Sequence, residues 1–430
     1  MSKKIVLITG TKGKTTVSCL LDSILLRLNT NKETIRVSTE GLFLNNKQRS
    51  TSESSYNIYG FAPTVCPGRY LFNLSSFSQE RLDNTVAILE TSLGSGNACG
   101  TGVGYCDIGI WTNVFEDHLG SSEKTETREG IAELKSVVFS QIKEGGYAIF
   151  NACDKLICSK VEKINKKAII IPCYDETKEV FYDLKKHLKN GGMALVLQGT
   201  RIVKKTQNSE QIIYDTSQSP LTFDGQFKPS MLNLLLVFGA IYAIHDGHFP
   251  KGLKDVVDCV RFDPYGGRLT LLKAKKGTTI IADYAHEVES LQSVGELAKS
   301  IAERNGGKTI AVIRLPYDRT DKQISKTGRN ISKSFDKFII YDKIDGYWRK
   351  ANKHNRNPRF VQKAGRIAKL LGIAISKHNK DTKVIIREDK AIEFASKNAQ
   401  ENDVVVIIVN DNIHRSIDWI REKFDAKFTK

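Results

Sequence analysis

The first loop of the chain decides its fold, and residues 5–16 read Ile5-Val6-Leu7-Ile8-Thr9-Gly10-Thr11-Lys12-Gly13-Lys14-Thr15-Thr16. Four apolar residues lead into a turn with two glycines, and an amphipathic helical pattern over residues 14–28 follows at once. Glycines let backbone N–H groups approach phosphate oxygens, and the amino terminus of a helix adds positive potential. The segment therefore predicts a phosphate-binding loop between a buried strand and a helix.

Residue type suggests what each part of this loop would contact. Lys14 has the reach for the β- and γ-phosphates of a nucleotide, and the Thr15 hydroxyl can ligate magnesium. The leading glycine of the general pattern is Ile8 here, so the loop follows the variant Gly-Thr-x-Gly-Lys-Thr-Thr. A chance Gly-Lys-Thr is the alternative, and the order strand, loop, helix argues against it. The predicted nucleotide-binding residues of the loop are Gly10, Thr11, Lys12, Gly13, Lys14, Thr15 and Thr16.

Short apolar runs alternate with amphipathic stretches in both halves of the chain, which is typical of parallel, doubly wound α/β sheets. We predict a central P-loop domain at residues 1–262 and a second, Rossmann-like α/β domain at residues 263–430. The predicted strands are 5–8, 86–89, 108–114, 148–150, 279–282, 309–314, 337–341, 384–387 and 404–409. The predicted helices are 14–28 and 129–142, with a helical linker at 225–247.

Composition excludes several classes of protein. A chain of 430 residues with 40% hydrophobic content can bury the cores of roughly two or three domains. No stretch approaches the roughly 20 apolar residues of a membrane span. The eight cysteines are scattered without a Cys-x-x-Cys pair, so neither a zinc ribbon nor a disulfide framework is predicted. We expect a soluble, cytoplasmic protein with reduced thiols and no membrane partner.

The net charge of +17 is concentrated in one region. Residues 301–400 hold 24 Lys and Arg against 10 Asp and Glu, and residues 348–380 carry ten basic residues and no acidic one. The summed electrostatic field of such a segment could hold a polyanion. The alternative is that these charged side chains only form a solvated surface. Trp348 and Phe360 are its only aromatic residues. Stacking platforms for bases are therefore sparse, and nucleic acid is not predicted as a partner.

Four further motifs follow the loop in order. Residues 87–92 read Ala-Ile-Leu-Glu-Thr-Ser, and residues 112–120 read Thr-Asn-Val-Phe-Glu-Asp-His-Leu-Gly. Residues 266–268 read Gly-Gly-Arg, and residues 283–286 read Asp-Tyr-Ala-His. Together with the loop and Lys135, these motifs resemble the Mur ligases, the folylpolyglutamate synthetases and the Mur-like part of the cyanophycin synthetases.

Of these, the Mur-like module of the cyanophycin synthetases has the most similar local sequence, at residues 102–105, 145–152 and 225–233. The ATP-grasp portion that precedes that module has no counterpart in this sequence, and neither has the uridine-nucleotide domain of the Mur ligases. We therefore expect a ligase module rather than a whole cyanophycin polymerase.

This resemblance implies an ATP-dependent ligase with magnesium at two sites. The family activates a carboxylate as an acyl phosphate and joins it to an amine, here an acidic acceptor and an amino acid or amine. Such chemistry needs positioning and charge neutralisation rather than a protein nucleophile. Two alternatives stay open, a degenerate Mur-like protein that only binds ATP and a nucleic-acid-binding ATPase. Oligomerisation is also left open.

In the central domain, the resemblance implies that Glu90 and His118 join Thr15 as magnesium ligands. Lys135 matches a lysine that is carbamylated in several relatives, which would turn a cation into a metal-binding carboxylate. That reaction needs a neutral amine, so the pKa of the lysine must be depressed from about 10.4. The alternative is an ordinary surface lysine paired with Glu129 or Glu133.

In the second domain, Arg268 matches the clamp on the γ-phosphate, and Asp283 matches the acceptor of the ribose hydroxyls. Asn233, on the predicted linker helix, matches the position that reads adenine in relatives. The sequence departs from the family pattern where Gly266 replaces a proline and where residues 287–288 replace Asn-Pro. The catalytic candidates are therefore Lys14, Glu90, His118, Lys135 and Arg268. Leu93 stands where the cyanophycin module tends to carry arginine, so acceptor recognition is expected to differ.

Overall fold

The computed structural model describes residues 4–28, 33–48, 62–75, 84–96, 100–116, 119, 123–317, 319–343 and 363–429. The chain divides into two compact units, Met1–Val260 and Arg261–Lys430. Each unit is built on one sheet whose central strands are parallel. The predicted α/β class with two mainly parallel sheets is confirmed.

The sheet of the first unit has the order β11-β10-β9-β8-β7-β6-β1-β5-β2-β3-β4. Its strands are β1 Lys4–Thr9, β2 Glu33–Ser38, β3 Gly41–Leu44, β4 Lys47–Gln48, β5 Thr85–Glu90, β6 Cys106–Trp111, β7 Ile142–Asn151, β8 Ile169–Asp175, β9 Ala194–Gln198, β10 Arg201–Lys205 and β11 Glu210–Asp215. The helices described in this unit are α1 Lys14–Arg27, α2 Gly68–Ser75, α3 Arg128–Lys135, α4 Val137–Ser140, α5 Lys155–Cys158, α6 Leu184–Lys189, α7 Lys228–Ile244 and α8 Leu253–Cys259.

Helices cover both faces of this sheet, which explains why its central strands are apolar runs without alternation. One buried cluster joins Leu7 of β1, Leu89 of β5 and Trp111 of β6 to Phe139 of α4. The Trp111 and Phe139 rings meet edge to face at 4.9 Å. On the sheet, α7 packs against α1 and against strands β6 to β9. Most residues of α7 are buried, yet no helix in the described parts of the chain is long and apolar enough to cross a membrane.

The position of β1 in the sheet locates the site. β1 pairs in parallel with β5 on one side and β6 on the other, so that Ile8 lies opposite Glu90 and Thr9 opposite Trp111. The three strands therefore end at the same edge, and three different connections leave from it. In open α/β sheets, such a point outside the carboxyl ends of the strands is where ligands bind.

The sheet of the second unit has the order β16-β15-β14-β17-β13-β12-β18, with β12 and β18 antiparallel to their neighbours. Its strands are β12 Thr270–Ala274, β13 Thr279–Asp283, β14 Thr309–Ile313, β15 Lys337–Ile340, β16 Thr382–Val384, β17 Val404–Ile408 and β18 Ala426–Phe428. Its described helices are α9 Val288–Asn305, α10 Asp321–Ile331, α11 Arg366–Ser376, α12 Glu388–Asn398 and α13 Ile413–Phe424.

Three predicted elements differ from the structure. The strand predicted at 384–387 is wrong, because β16 ends at Val384 and the next three residues turn the chain into α12. The helix predicted at 129–142 is divided at Ser136, and its last residue begins β7 because Ile142 pairs with Cys106. The strand predicted to reach residue 114 ends at Trp111, since the following residues bend towards the first loop.

Candidate active site

Two glycines give the first loop its shape. Gly10 has a φ of 141° and Gly13 a φ of 84°, both in the range that side chains disfavour. A Cβ on Gly10 would lie 1.9 Å from Oγ1 of Thr112, and one on Gly13 would lie 2.3 Å from Oδ1 of Asn233. The structure thus brings Asn233, which projects from α7, directly against the loop.

The segment after β6 holds the loop from the other side. The backbone N–H of Thr11 donates to the carbonyl of Asn113 at 2.9 Å, and the N–H of Lys12 donates to the Asn113 side-chain oxygen at 2.9 Å. In return, Oγ1 of Thr112 donates to the carbonyl of Lys12 at 2.5 Å, and the N–H of Phe115 donates to Oγ1 of Thr11 at 3.0 Å. These reciprocal bonds fix the loop before any ligand arrives.

Lys14 and Thr15 begin α1, and their side chains make different contacts. Nζ of Lys14 donates to the carbonyls of Gly10 and Thr11 at 2.9 and 3.1 Å. Oγ1 of Thr15 donates to Oε2 of Glu90 at 3.0 Å, and Glu90 is 1% exposed at the end of β5. Thr16 follows in the first turn of α1 and is half-buried.

Lys135 is buried, with 4% of its surface exposed, at the last residue of α3. Its Nζ donates to the carbonyl of Gly10 at 2.7 Å, so α3 delivers a second lysine to the loop. Glu133, suggested as a surface partner of this lysine, forms ion pairs with Lys160 and Lys163 instead. Hydrogen bonds from those two lysines lower the pKa of Glu133 to about 2.

A pocket of about 280 Å³ opens between these groups. It is lined by Gly10, Thr11, Lys14, Ser92, Leu93, Gly94 and Lys135. Oγ of Ser92 is buried there without a hydrogen-bond partner. Because an unpaired buried hydroxyl is costly, this atom is suited to meet a ligand. Ser92 is not among the predicted site residues, although its place two residues after Glu90 in the motif at residues 87–92 was an available signal.

Thr39, after β2, is a second residue that the sequence analysis missed. Its hydroxyl lies 3.3 Å from the Thr15 hydroxyl, and its backbone N–H donates to Oε2 of Glu90 at 3.4 Å. The contact arises because β2 pairs with β5, which places the ends of both strands at one edge. Sequence alone gives no register between these two strands, so the contact could not be derived from it.

The oxygen donors at this edge fit a magnesium ion better than a metal that needs many protein ligands. No group of three or more His, Cys, Asp and Glu side chains suited to a metal occurs among the described residues. Mg²⁺ is ordinarily held by one or two protein oxygens together with waters and substrate phosphates. Thr15 and Glu90 supply such a pair. His118 lies outside the described residues, so its predicted role as a ligand stays a prediction.

In the second unit, Asp283 closes β13 and accepts backbone N–H bonds from Leu269 at 2.9 Å and Ala285 at 2.8 Å. The guanidinium of Arg268 lies 5.2 Å from the centre of the Tyr284 ring, and its buried Nε has no hydrogen-bond partner. Asp283 and Arg268 therefore lie at one end of this sheet. Their predicted roles towards ribose and the γ-phosphate stay predictions.

A charged cluster that the sequence analysis did not identify surrounds the same tyrosine. Arg314 is fully buried with its guanidinium 4.6 Å from the Tyr284 ring, and its Nη2 donates to the carbonyl of Val409 at 2.8 Å. Burial opposes ionisation of Asp411, but the Lys343 ammonium, 2.9 Å away, and the Tyr284 hydroxyl lower the pKa of Asp411 below its ordinary value. The cluster gives this end of the second sheet a fixed arrangement of charge.

The structure describes residues 363–380 of the basic segment at 348–380. Residues 344–362 lie outside the described residues, and they include Arg349, Lys350 and Lys353. From residue 363 the segment continues into α11, where Arg366 pairs with Asp321 of α10.

Comparison with known proteins confirms the resemblance seen in the motifs. Residues 8–214 match the Mur ligase middle domain, and residues 267–408 match the Mur ligase glutamate ligase domain. The chain is 28% identical over 426 residues to a cyanophycin synthetase of Geminocystis herdmanii, covering 97% of this chain and 43% of that protein. It therefore spans less than half the length of the cyanophycin synthetases it matches.

Two further relatives extend the comparison. The UDP-N-acetylmuramoyl-L-alanyl-D-glutamate--2,6-diaminopimelate ligase of Clostridioides difficile is 26% identical over 439 residues, covering 98% of this chain and 76% of that protein. The structure of E. coli FolC in complex with DHPP and ADP superposes with a TM-score of 0.66 at 17% identity, covering 99% of this chain and 89% of that one. The structural likeness concerns the fold.

Proposed function

Because the chain belongs to the Mur ligase family, we propose that it is an ATP-dependent ligase that joins a carboxylate to an amine. In the proposed reaction, a carboxylate oxygen of the acceptor attacks the γ-phosphorus of ATP, and the bond to ADP breaks. The amine then attacks the acyl carbon of the acyl phosphate, and inorganic phosphate leaves as the nitrogen loses a proton. Such a path depends on positioning and charge neutralisation.

One observation carries this proposal, namely the pocket beside the phosphate loop. Lys14 and Lys135 both reach the carbonyl of Gly10, and both line the pocket next to the unpaired Ser92 hydroxyl. A site for a phosphoryl group and an attacking carboxylate needs donors that are fixed before the reaction begins, and the Lys14 ammonium and the Ser92 hydroxyl are such donors. We therefore place the γ-phosphate at Lys14 and the reacting carboxylate of the acceptor near Ser92.

We assign one magnesium ion to Thr15 and Glu90. Their oxygens lie 3.0 Å apart in a buried position, and they are the hard donors that Mg²⁺ takes. The ion, when bound, would neutralise the charge of the phosphates. Thr15 and Glu90 orient each other through their hydrogen bond, so little side-chain entropy would be lost when the ion binds. A second ion, held by Glu90 with His118, remains a proposal from the family resemblance.

Lys135 completes the proposed second ion site once it is carbamylated. Its neutral amine would attack the carbon of carbon dioxide, form an N–C bond and lose a proton, which replaces a cation by a carboxylate. The buried position of Lys135 supports this step, since it shields the group from bulk water. The hydrogen bond to Gly10 places the modified group beside the loop.

Three further residues keep their predicted roles towards the nucleotide as proposals. Arg268 would clamp the γ-phosphate with a guanidinium, whose fixed fork of donors suits a transferring phosphoryl group. Asp283 would accept the ribose hydroxyls, and Asn233 in the first unit would contact adenine. The proposed substrates are an acidic acceptor and an amino acid or amine donor. Leu93 lines the pocket and gives the acceptor an apolar neighbour rather than a charged one.

Phosphate release tests the proposed reaction. The purified chain would be incubated with ATP, magnesium, a panel of acidic acceptors and amino acids, and ADP and phosphate would be measured. We expect release only when a matching acceptor and donor are both present. Hydroxylamine in place of the donor should trap the acyl phosphate as a hydroxamate. ATP binding without phosphate release for any pair would contradict the proposal and indicate a degenerate ATP-binding protein.

A further inference from the structure

A buried guanidinium lies behind the proposed magnesium ligands. Arg36 is on β2 and is 3% exposed. Its Nε donates to Oδ2 of Asp22 at 3.1 Å, and its Nη1 donates to Oγ of Ser38 at 3.1 Å and to Oε2 of Glu40 at 3.0 Å. The guanidinium also stacks on the Phe43 ring, 3.8 Å from its centre. Hydrogen bonds through Nε and Nη1 and the contact with the ring therefore restrain the guanidinium.

Burying such a network is a poor way to stabilise a fold. Removing an arginine and a carboxylate from water costs several kcal/mol for each ion, and apolar residues of similar volume are often as stable or more so. Asp22 lies on α1 and is itself 0% exposed, with Thr34 donating a second hydrogen bond to it. This arrangement fixes Arg36 to the helix that begins at the phosphate loop. A role beyond packing is therefore the better explanation.

The two partners of Nη1 flank Thr39. Ser38 precedes it and Glu40 follows it, and the N–H of Glu40 donates back to Oγ of Ser38 at 3.3 Å. Thr39 in turn contacts both proposed ligands, through its N–H to Glu90 at 3.4 Å and its hydroxyl to Thr15 at 3.3 Å. A shift of Arg36 would therefore reach Glu90 and Thr15 through one residue.

We infer that Arg36 is a positioning residue that holds the turn at residues 38–40 and thereby sets the geometry of Thr15 and Glu90 for the nucleotide-bound magnesium ion. The inference rests on the proposed magnesium site. Arginine is required because two nitrogens of one rigid plane must address Asp22 and the turn at the same time. Lysine has a single donor centre and cannot span both.

Glu40→Gln is the variant that tests this inference with the least risk to the fold. The Glu40 side chain is 30% exposed, and glutamine keeps its shape while the charge that anchors Nη1 is lost. The matched control is Glu144→Gln, which removes an exposed carboxylate paired with Lys167 at 2.6 Å, outside the site. Arg36→Lys serves as the second variant, since it keeps the charge but not the fork.

The measurement is ATP binding as a function of magnesium concentration, followed by calorimetry, with thermal unfolding recorded in parallel. Partners that orient metal ligands typically contribute about 10- to 100-fold to metal affinity. We expect the magnesium midpoint to rise about tenfold in Arg36→Lys and several-fold in Glu40→Gln, with the control unchanged. ATP affinity without magnesium should stay the same in all variants, because the turn does not line the pocket.

Unchanged magnesium midpoints in both variants, with or without a fall in Tm, would overturn the inference and leave Arg36 a structural residue. This result is distinguishable from failure of the proposed ligase activity. Binding is read without turnover, so the comparison holds even if the wild type releases no phosphate with any acceptor. Conversely, acceptor-dependent phosphate release with unchanged midpoints would keep the ligase and remove only the role of Arg36.

Discussion

Replacing Lys14 by alanine tests the proposed site most directly. In the wild type, Nζ of Lys14 donates to the carbonyl of Gly10 at 2.9 Å and to that of Thr11 at 3.1 Å. Alanine removes the cation but leaves the loop a second support, since Lys135 still donates to Gly10 at 2.7 Å. The reciprocal bonds to residues 112–115 are untouched. The loop should therefore keep its conformation while it loses its charge.

The expected magnitudes separate chemistry from stability. A donor aimed at charge that develops in the transition state is worth about 3–4 kcal/mol, which corresponds to a 100- to 1,000-fold fall in turnover. The two hydrogen bonds of the partly exposed lysine are worth about 1 kcal/mol together after screening by solvent. A loss of that size lowers the Tm by roughly 2–4 °C in a unit of this length. Activity should thus collapse in a protein that remains folded.

The assay measures ADP and phosphate for Lys14→Ala beside Lys166→Ala, which removes an exposed lysine of the same unit. The control should match the wild type in both rate and Tm. Near-normal ATP turnover by folded Lys14→Ala would refute the assignment of the active site. A large fall in Tm would instead show that the loop depends on Lys14 for its structure and that the hydrogen bond from Lys135 is not a sufficient second support.

Three further outcomes follow from the structure and the sequence. Gly13→Ala should bind ATP at least tenfold more weakly in isothermal titration, because its Cβ would lie 2.3 Å from Oδ1 of Asn233. The control is Gly145→Ala, where φ is 69° and no atom lies within 4 Å of the added Cβ. This control should only lose about 1–2 kcal/mol of stability. Lys135→Ala should be far less active than the wild type, and small carboxylates should partly restore its activity. Carbon-13 NMR under labelled carbon dioxide should show a carbamate in the wild type alone. An active Lys135→Ala enzyme, together with no carbamate signal in the wild type, would remove that group from the mechanism. We also expect the basic segment at residues 348–380 to help hold the acidic acceptor. Reversing Arg349, Lys350 and Lys353 to glutamate should therefore raise the acceptor KM, leave the ATP KM unchanged and weaken the salt dependence of acceptor binding, since exposed charges are screened over a Debye length of about 8–10 Å. An unchanged acceptor KM would show that the segment is only solvated surface, and oligonucleotide binding with a steep salt slope would favour the nucleic-acid alternative.

The parts of the fold that local pattern could predict are those with one clear period. The apolar runs at β1, β5 and β17 and the long helices α1 and α7 were all within reach, because each is buried on a continuous face. The strands from β8 to β11 were not predicted, since exposed positions at the start of β8 and along β11, which forms the sheet edge, blur the apolar run. Whether an edge segment forms a strand depends more on the neighbouring strand than on its own amino-acid composition.

The residues of the candidate site also fall into those that a local sequence pattern could identify and those that it could not. Residues contiguous with the loop could be named from the sequence, and Glu90 and Lys135 followed from motif order. Thr39 could not, because its importance depends on which strand ends lie side by side, and for Ser92 the only signal was its place two residues after Glu90. Register between β2 and β5 decides that Thr39 meets Glu90, and no feature of either strand alone encodes it. Long-range pairing is information that a local pattern does not contain.

The division of the predicted helix at Ser136 shows how such non-local order produces a site. Ser136 ends α3 and begins α4, and its hydroxyl donates to the carbonyl of Glu133 at 2.6 Å. α4 then packs Phe139 under Trp111, which anchors the segment on the sheet. Lys135 is consequently the last residue of a helix whose end is fixed, and its long side chain crosses to Gly10 with little freedom left to lose. A lysine on an uninterrupted, amphipathic surface helix would keep its ammonium in water. The interruption, rather than the lysine itself, is therefore what makes this position suited to an unusual amine.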